Sequence, residues 1–416
     1  MAAVRDVARI LSFEEARQMV EDHARGLRPN CEERVQLLDS AGRILAESVE
    51  ADRDFPPFPR AARDGYAVRA SDLLQLPATL QVIGEIKAGA TPEGLNIDSG
   101  QAVAIMTGAA APNGADAIVM LEYTSRHGDA VEITRRVATG DNIVSPGVEA
   151  RRGDVLLSRR AQLDHASIAV AASVGKTHLL VYRKPRVAVL ATGDEIVDIR
   201  VQPGPNQIRN SNSYSLAAQV REAGGDPVLL PIAPDDPASL RNLIVKGLQG
   251  DLLLLAGGVS AGKYDFVERV LADLKAEFFF TGAQIQPGRP VVFGRVPLTS
   301  PATEGCYFFG LPGNPVSTMV TFELFARPLV EALAGMSARK LVFLHAKLKS
   351  DIKTKTGLKR FLPAVLSGEF EHAEVELVRW QGSGDIAATA KSNCYIVIPP
   401  DRDRIPAGEW VPVLLR

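Results

Sequence analysis

Four consecutive leucines, Leu252 to Leu255, follow Asp251 and run through Ala256 into Gly257-Gly258-Val259-Ser260-Ala261-Gly262, after which Asp265 opens a helical pattern. A run that is apolar at every position is built to be buried on both faces, as strands are in a parallel sheet covered by helices. The glycines that end it let the backbone approach a ligand. Successive free N–H groups ahead of a helix attract an anion, most often a phosphate. The same order recurs downstream, where Phe308-Phe309-Gly310-Leu311 runs into Pro312-Gly313-Asn314-Pro315 and then a long helical pattern over 316–333. Asn314 suits an N-cap and Pro315 a first helical position. Two anion-ready turns predict a site for a phosphorylated or oxyanionic substrate.

The segments around these turns alternate in type. From Pro185 onward, strands are predicted at 186–190, 228–232, 252–255, 278–280 and 291–293, and helices at 213–223, 237–248, 266–274 and 316–333. Such alternation implies a mostly parallel sheet with helices on both faces, with ligands gathering at the carboxyl edge of the strands. Upstream, Ser12-Phe13-Glu14-Glu15 reads as a capping box that opens an amphipathic helix to about Arg25. A proline-dense stretch over 54–59 looks like an extended linker, and short strands split by Gly, Pro and Asn over 66–144 suggest a small all-β module. A helix is expected at 164–174, and beyond Gly335 the pattern returns to short strands, read as a small β domain.

Bulk properties exclude several classes. With 416 residues the chain is long enough for several domains, and a net charge of −2 provides no global field for nucleic acid or an anionic membrane. The three cysteines, Cys31, Cys306 and Cys394, are too few and too widely spaced for a disulfide framework and suit a reducing cytoplasm. The six histidines form no zinc-ligand spacing. No apolar run approaches a membrane span, and the N-terminus lacks a signal-peptide core.

Acidic residues stand at the ends of the predicted strands. The strand at 186–190 leads into Thr192-Gly193-Asp194-Glu195, where two adjacent carboxylates could hold Mg²⁺, position water, or simply cap the next helix. Asp235-Asp236-Pro237 reads first as a helix start. Asp265 opens the helix after the glycine loop, so capping there competes with metal or hydroxyl binding. All three acidic positions follow strands of one sheet, and acids beside phosphate cradles make sense if a divalent cation bridges them. A rival reading is offered by Gly258-Val259-Ser260-Ala261-Gly262, which satisfies the G-x-S-x-G elbow of serine hydrolases with Ser260 as nucleophile. The only later histidines, His345 and His372, lie in the β-rich tail, which disfavours a triad. Arg289, in Gln286-Pro287-Gly288-Arg289-Pro290, could fork onto a tetrahedral oxyanion.

Taken together, these segments resemble the MoeA family of molybdopterin molybdenumtransferases, which includes the gephyrin E domain. The resemblance runs in order along nearly the whole chain: Asp64-Gly65-Tyr66-Ala67, Ile105-Met106-Thr107-Gly108-Ala109, Gly114-Ala115-Asp116, Thr192-Gly193-Asp194-Glu195, Asp235-Asp236, Gly257-Gly258-Val259-Ser260 with Asp265, and 310–317. Gln381-Gly382-Ser383-Gly384 with Ser392-Asn393 is similar to the family's C-terminal signature. The resemblance implies an α/β multidomain fold. Its parts would be an N-terminal helical and linker part (1–56 plus 147–184), an inserted β module (57–146), a molybdopterin-binding α/β sandwich (185–334) and a C-terminal β domain (335–416). It implies a reaction in which adenylylated molybdopterin and molybdate yield the molybdenum cofactor and AMP, assisted by Mg²⁺.

By motif match, Asp64, Thr107, Asp194, Glu195 and Asp265 take the polar catalytic positions, with Asp194, Glu195 and Asp265 arranging the metal. Gly257, Gly258, Val259, Ser260, Gly262, Pro312, Gly313, Asn314, Pro315 and Ser317 would hold the pterin nucleotide, and Arg289, Pro290, Ser383 and Arg360 would face the oxyanion. The resemblance further implies a cytoplasmic homodimer in which Asp64 acts across the interface. It also implies contacts with the pterin adenylyltransferase and with molybdoenzyme-maturation proteins, and none with nucleic acid or membrane. The chain departs from the family pattern where Lys-Pro-Gly-Lys-Pro becomes 286–290, where Pro363 replaces an arginine, and where Asn210 replaces an aspartate. These departures bear on oxyanion affinity more than on fold. They leave room for a non-catalytic pterin-binding scaffold, or for tungstate preference.

Overall fold

The computed structural model describes residues 9–29, 31–258, 266–297, 305–337 and 340–416. By internal contacts the chain forms two compact units, one of Met1–Val35, Gly42–Ala46 and Leu180–Arg416, the other of Gln36–Ala41 and Glu47–Leu179.

In the first unit, the helix α1 (Phe13–Gly26) starts where expected. The Ser12 hydroxyl accepts from the Glu15 amide, and the Glu15 carboxylate accepts from the Ser12 amide at 2.9 Å, closing the capping box. The central sheet contains β1 (Arg186–Ala191), β2 (Asp226–Leu229), β3 (Leu252–Ala256), β4 (Glu277–Phe280), β5 (Val292–Val296) and β6 (Cys306–Leu311), in the order β2-β1-β3-β6-β5-β4. The first four in that order run parallel; β5 and β4 add antiparallel edges.

The unbroken apolar runs have a direct reading in this sheet. Val187, Val189, Leu252 and Leu254 point into one core with α1 and α2 (Asn212–Glu222), while Ala188, Leu190, Leu253 and Leu255 point into another. That second core is closed by α3 (Pro237–Gly247) and α4 (Phe266–Asp273). Each strand residue is buried on whichever face it takes, so alternation disappears from the sequence.

The pattern over 316–333 predicts one helix, and the structure has three pieces: α5 (Pro315–Thr321), a π-turn (Phe322–Ala326) and α6 (Arg327–Leu333). Pro328 supplies the reason. It has no N–H to give the carbonyl four residues earlier, that of Leu324, and the Arg17 guanidinium donates to that carbonyl instead. The Gln219 amide similarly donates to the Met319 carbonyl. Partly buried ion pairs surround the turn, with Arg327 bridging Glu323 at 2.6 Å and Glu331 at 3.2 Å.

The C-terminal strands Phe343–Leu348, Lys359–Ser367, Glu374–Leu377, Cys394–Ile398 and Trp410–Leu415 close into a small barrel, because Lys359–Ser367 pairs with both Glu374–Leu377 and Cys394–Ile398. A sixth short strand, Ile285–Gln286, lies parallel to its start, with Gln286 opposite Arg360.

The second unit holds a six-stranded sheet ordered Ala117–Met120, Gly65–Val68, Gln101–Ile105, Ala78–Ile86, Ala130–Ile133, Thr124–His127. It also holds the helix His165–Ser173, capped by Asp164 through the Ser167 amide at 2.8 Å.

Candidate active site

The registers of β1, β3 and β6 bring Ala191, Ala256 and Leu311 side by side at the carboxyl edge of the sheet. Three turns therefore leave the sheet at one level, and backbone bonds continue across them. The Thr192 amide donates to the Ala256 carbonyl at 3.2 Å, and the Gly257 amide to the Leu311 carbonyl at 3.1 Å. Gly257 has φ +97, and a β-carbon there would lie 2.9 Å from the Thr192 carbonyl oxygen, so the close approach of these two turns needs glycine. From the other side, a β-carbon on Gly313 would sit 3.7 Å from the Gly257 Cα, an ordinary contact.

Between the turns lies a cleft of about 470 Å³. Thr192, Gly193, Glu195, Gly257, Gly258, Pro312, Gly313, Asn314 and Pro315 line it, joined by Pro290, Asp235 and the loop at 208–212. Glu195 folds its carboxylate over Gly193. Asp194 accepts from the Asp235 amide at 3.1 Å. Asp236 does what its sequence suggested: it caps α3 through the Ser239 amide at 2.8 Å, and that backbone bond holds its carboxyl below the ordinary range. The neighbouring Asp235, whose first reading is a helix start and whose second is an acid beside the phosphate cradles, lines the cleft. Asn212 also lines the cleft, a residue that none of the motifs above includes. Val259, Ser260, Gly262 and Asp265 lie outside the described residues.

Of the residues expected around the oxyanion, Pro290 and Ser383 lie by the start of α5. Pro290 lines the cleft, Gly288 packs against Thr321, and the Ser383 carbonyl accepts from the Val316 amide at 2.9 Å. Arg289 is exposed, whereas Ser317 is buried. Arg360 is buried, and its guanidinium donates to the Leu358 carbonyl at 3.0 Å. Burial lowers its pKa from the usual guanidinium value.

Asp64 and Thr107 belong to the second unit. There the Thr107 amide and hydroxyl both donate to one Asp64 oxygen, at 2.6 and 2.8 Å, and these bonds, the backbone one foremost, depress the Asp64 pKa. Asp64 is thus an exposed, ionised acceptor at neutral pH. Among the described residues no group of three His, Cys, Asp or Glu is arranged to hold a metal, and no helix is long and apolar enough to cross a membrane.

Known proteins share this architecture along the chain. Residues 11–175 match the MoeA N-terminal region (domain I and II), 188–332 the family described as "Probable molybdopterin binding domain", and 345–415 the MoeA C-terminal region (domain IV). A molybdopterin molybdenumtransferase of Nostoc sp. is 36% identical over 91% of this chain and 88% of its own length. The chain belongs to the MoeA family. Another molybdopterin molybdenumtransferase, from Haemophilus influenzae, is 35% identical over 92% of this chain and 94% of its own. The crystal structure of a MoeA molybdopterin biosynthesis protein from Pyrococcus horikoshii superposes with a TM-score of 0.79 at 30% identity, covering 98% of this chain and 100% of that one. The multidomain MoeA fold, with its α/β domain and barrel-like C-terminal domain, is the fold of this chain.

Proposed function

We propose that this MoeA-family chain is a molybdopterin molybdenumtransferase, which takes adenylylated molybdopterin and molybdate and releases the molybdenum cofactor and AMP. The observation that carries this reading is the meeting of three glycine- and proline-bearing turns with the Glu195 and Asp235 carboxylates in one cleft at the carboxyl edge of the sheet. Phosphates fit the turns, because backbone amides there cost little reorganisation when charge develops. The relatives carry the name of this enzyme, which disfavours both the scaffold reading and the Ser260 hydrolase.

Magnesium suits the carboxylates of the cleft. Glu195 and Asp235 line it and offer only oxygen, and Mg²⁺ takes one or two carboxylates together with substrate phosphates. In this reading Asp194 and Glu195, with Asp265 by motif, hold the cation. When bound it neutralises charge on the phosphoanhydride. The Gly257–Gly258 and 312–315 turns orient the nucleotide, while Arg289, Pro290, Arg360 and Ser383 take the oxyanion. Support for the oxyanion role comes from the buried Arg360 guanidinium, which is turned to a carbonyl and leaves its charge uncompensated by any carboxylate among the described residues. Asp64, held ionised by Thr107, serves as acceptor from the second unit of a partner chain in a cytoplasmic homodimer. Delivery of the pterin by its adenylyltransferase and hand-over to maturation proteins belong to the same proposal.

The test is AMP release. Purified protein with adenylylated molybdopterin, Mg²⁺ and molybdate releases AMP in proportion to molybdate. Nucleotide binding without molybdate-dependent release would instead favour the scaffold. Tungstate in place of molybdate reads out oxyanion preference in the same assay.

A further inference from the structure

The 312–315 turn contains two prolines, so only Gly313 and Asn314 carry an N–H. Among the described residues neither amide has an internal acceptor. The carbonyls of the same two peptide units are both engaged. The hydroxyl of Thr318, a residue with no solvent exposure, donates to the Pro312 carbonyl, and the Asn212 side-chain amide donates to the Gly313 carbonyl at 2.7 Å. Both peptide bonds are trans. In a trans peptide the N–H points opposite to the C=O, so pinning the oxygen aims the hydrogen. We infer that Asn212 and Thr318 are positioning residues that turn the Gly313 and Asn314 amides toward a phosphate oxygen in the cleft this turn lines.

Asn212 carries a second mark of this role. Its Oδ1 is buried without a hydrogen-bond partner, although the residue stands at the first position of α2, where the cleft and its solvent are adjacent. A buried acceptor left unpaired is costly, and the side chain could relieve it by turning outward. The bond to the Gly313 carbonyl holds it inward. Thr318 is tied in the same sense, since its hydroxyl also reaches the Asn314 carbonyl at 3.0 Å and so braces the turn from beneath.

This inference rests on the reading of the cleft as a nucleotide site, and binding of AMP and adenosine separates the two. The wild-type chain binds AMP more tightly than adenosine. In Asn212→Ala and Thr318→Val, AMP affinity falls about tenfold, the scale of one lost hydrogen bond, while adenosine affinity is unchanged. Thr318→Ser, which keeps the hydroxyl, restores AMP binding. In steady state the KM for the adenylylated substrate rises in both variants with a smaller change in kcat. Wild-type protein that does not bind AMP overturns the nucleotide-site reading itself. Variants that bind AMP like wild type, or that lose AMP and adenosine equally, overturn the positioning role alone. Should Thr318→Val fail to fold, Asn212→Ala at its half-exposed position decides the matter.

Discussion

His23 shows how one side chain ties local environment to solution behaviour. On α1 it stacks 4.1 Å from the Phe279 ring, meets Phe293 and Tyr307 edge-on, and places Nδ1 3.2 Å from the Tyr307 hydroxyl. Burial in this aromatic nest lowers its pKa, helped by the nearby Arg295 and opposed by Glu277 and Asp22. A depressed folded value means that the unfolded chain takes up the proton first. The stabilisation is therefore complete above the unfolded pKa of about 6.5 and is lost as pH falls from there through the folded value. The urea midpoint should fall with pH over that window, and His23→Phe should flatten the fall relative to wild type. Parallel profiles for the two proteins would refute this placement of the proton.

Turns and helices at the element scale divide according to what their neighbours tolerate. Gly257→Ala puts a β-carbon at φ +97 and against the Thr192 carbonyl, so a loss of about 1–3 kcal/mol is expected, together with loss of AMP release. Gly313→Ala meets only an ordinary contact and should unfold within about 0.5 kcal/mol of wild type. Equal costs in urea titrations of the two variants would contradict the stacking of these turns. The capping box at Ser12 and the cap at Asp236 were legible because both act within four residues along the chain. The π-turn at Phe322–Ala326 was hidden in an otherwise continuous apolar pattern, although Pro328 was the signal that could have revealed it. What settles its form is that Arg17, far away in sequence, donates to the Leu324 carbonyl that Pro328 leaves free, while Gln219 adds a bond to the Met319 carbonyl.

For the molecule as a whole, the three thiols report on integrity. Cys31 is exposed, whereas Cys306 sits in the sheet with its pKa pushed up to about 12 by burial, and Cys394 sits in the barrel with its own raised to about 11. A neutral, buried thiol is a poor nucleophile. A disulfide reagent near neutral pH should label one thiol per native chain and three once the chain is unfolded. Rapid labelling of two or more in the native state would mean that the sheet or the barrel opens far more readily than its packing implies.

The sequence by itself determined the strands, most helix starts and the doubly covered sheet. It also placed Glu195, Gly257, Gly258 and the 312–315 segment at strand ends, because apolar runs, caps and glycines act over a few residues. Its family motifs announced the MoeA fold over nearly the full length. Only the tertiary structure decided that Asp235 faces the cleft while Asp236 caps a helix, that Gln286 lies opposite Arg360, and that Asn212 holds the Gly313 carbonyl across 101 positions of chain. Those choices depend on which strands pair and in what register. Pairing is fixed by long-range packing and hydrogen bonding that no local window of residues contains.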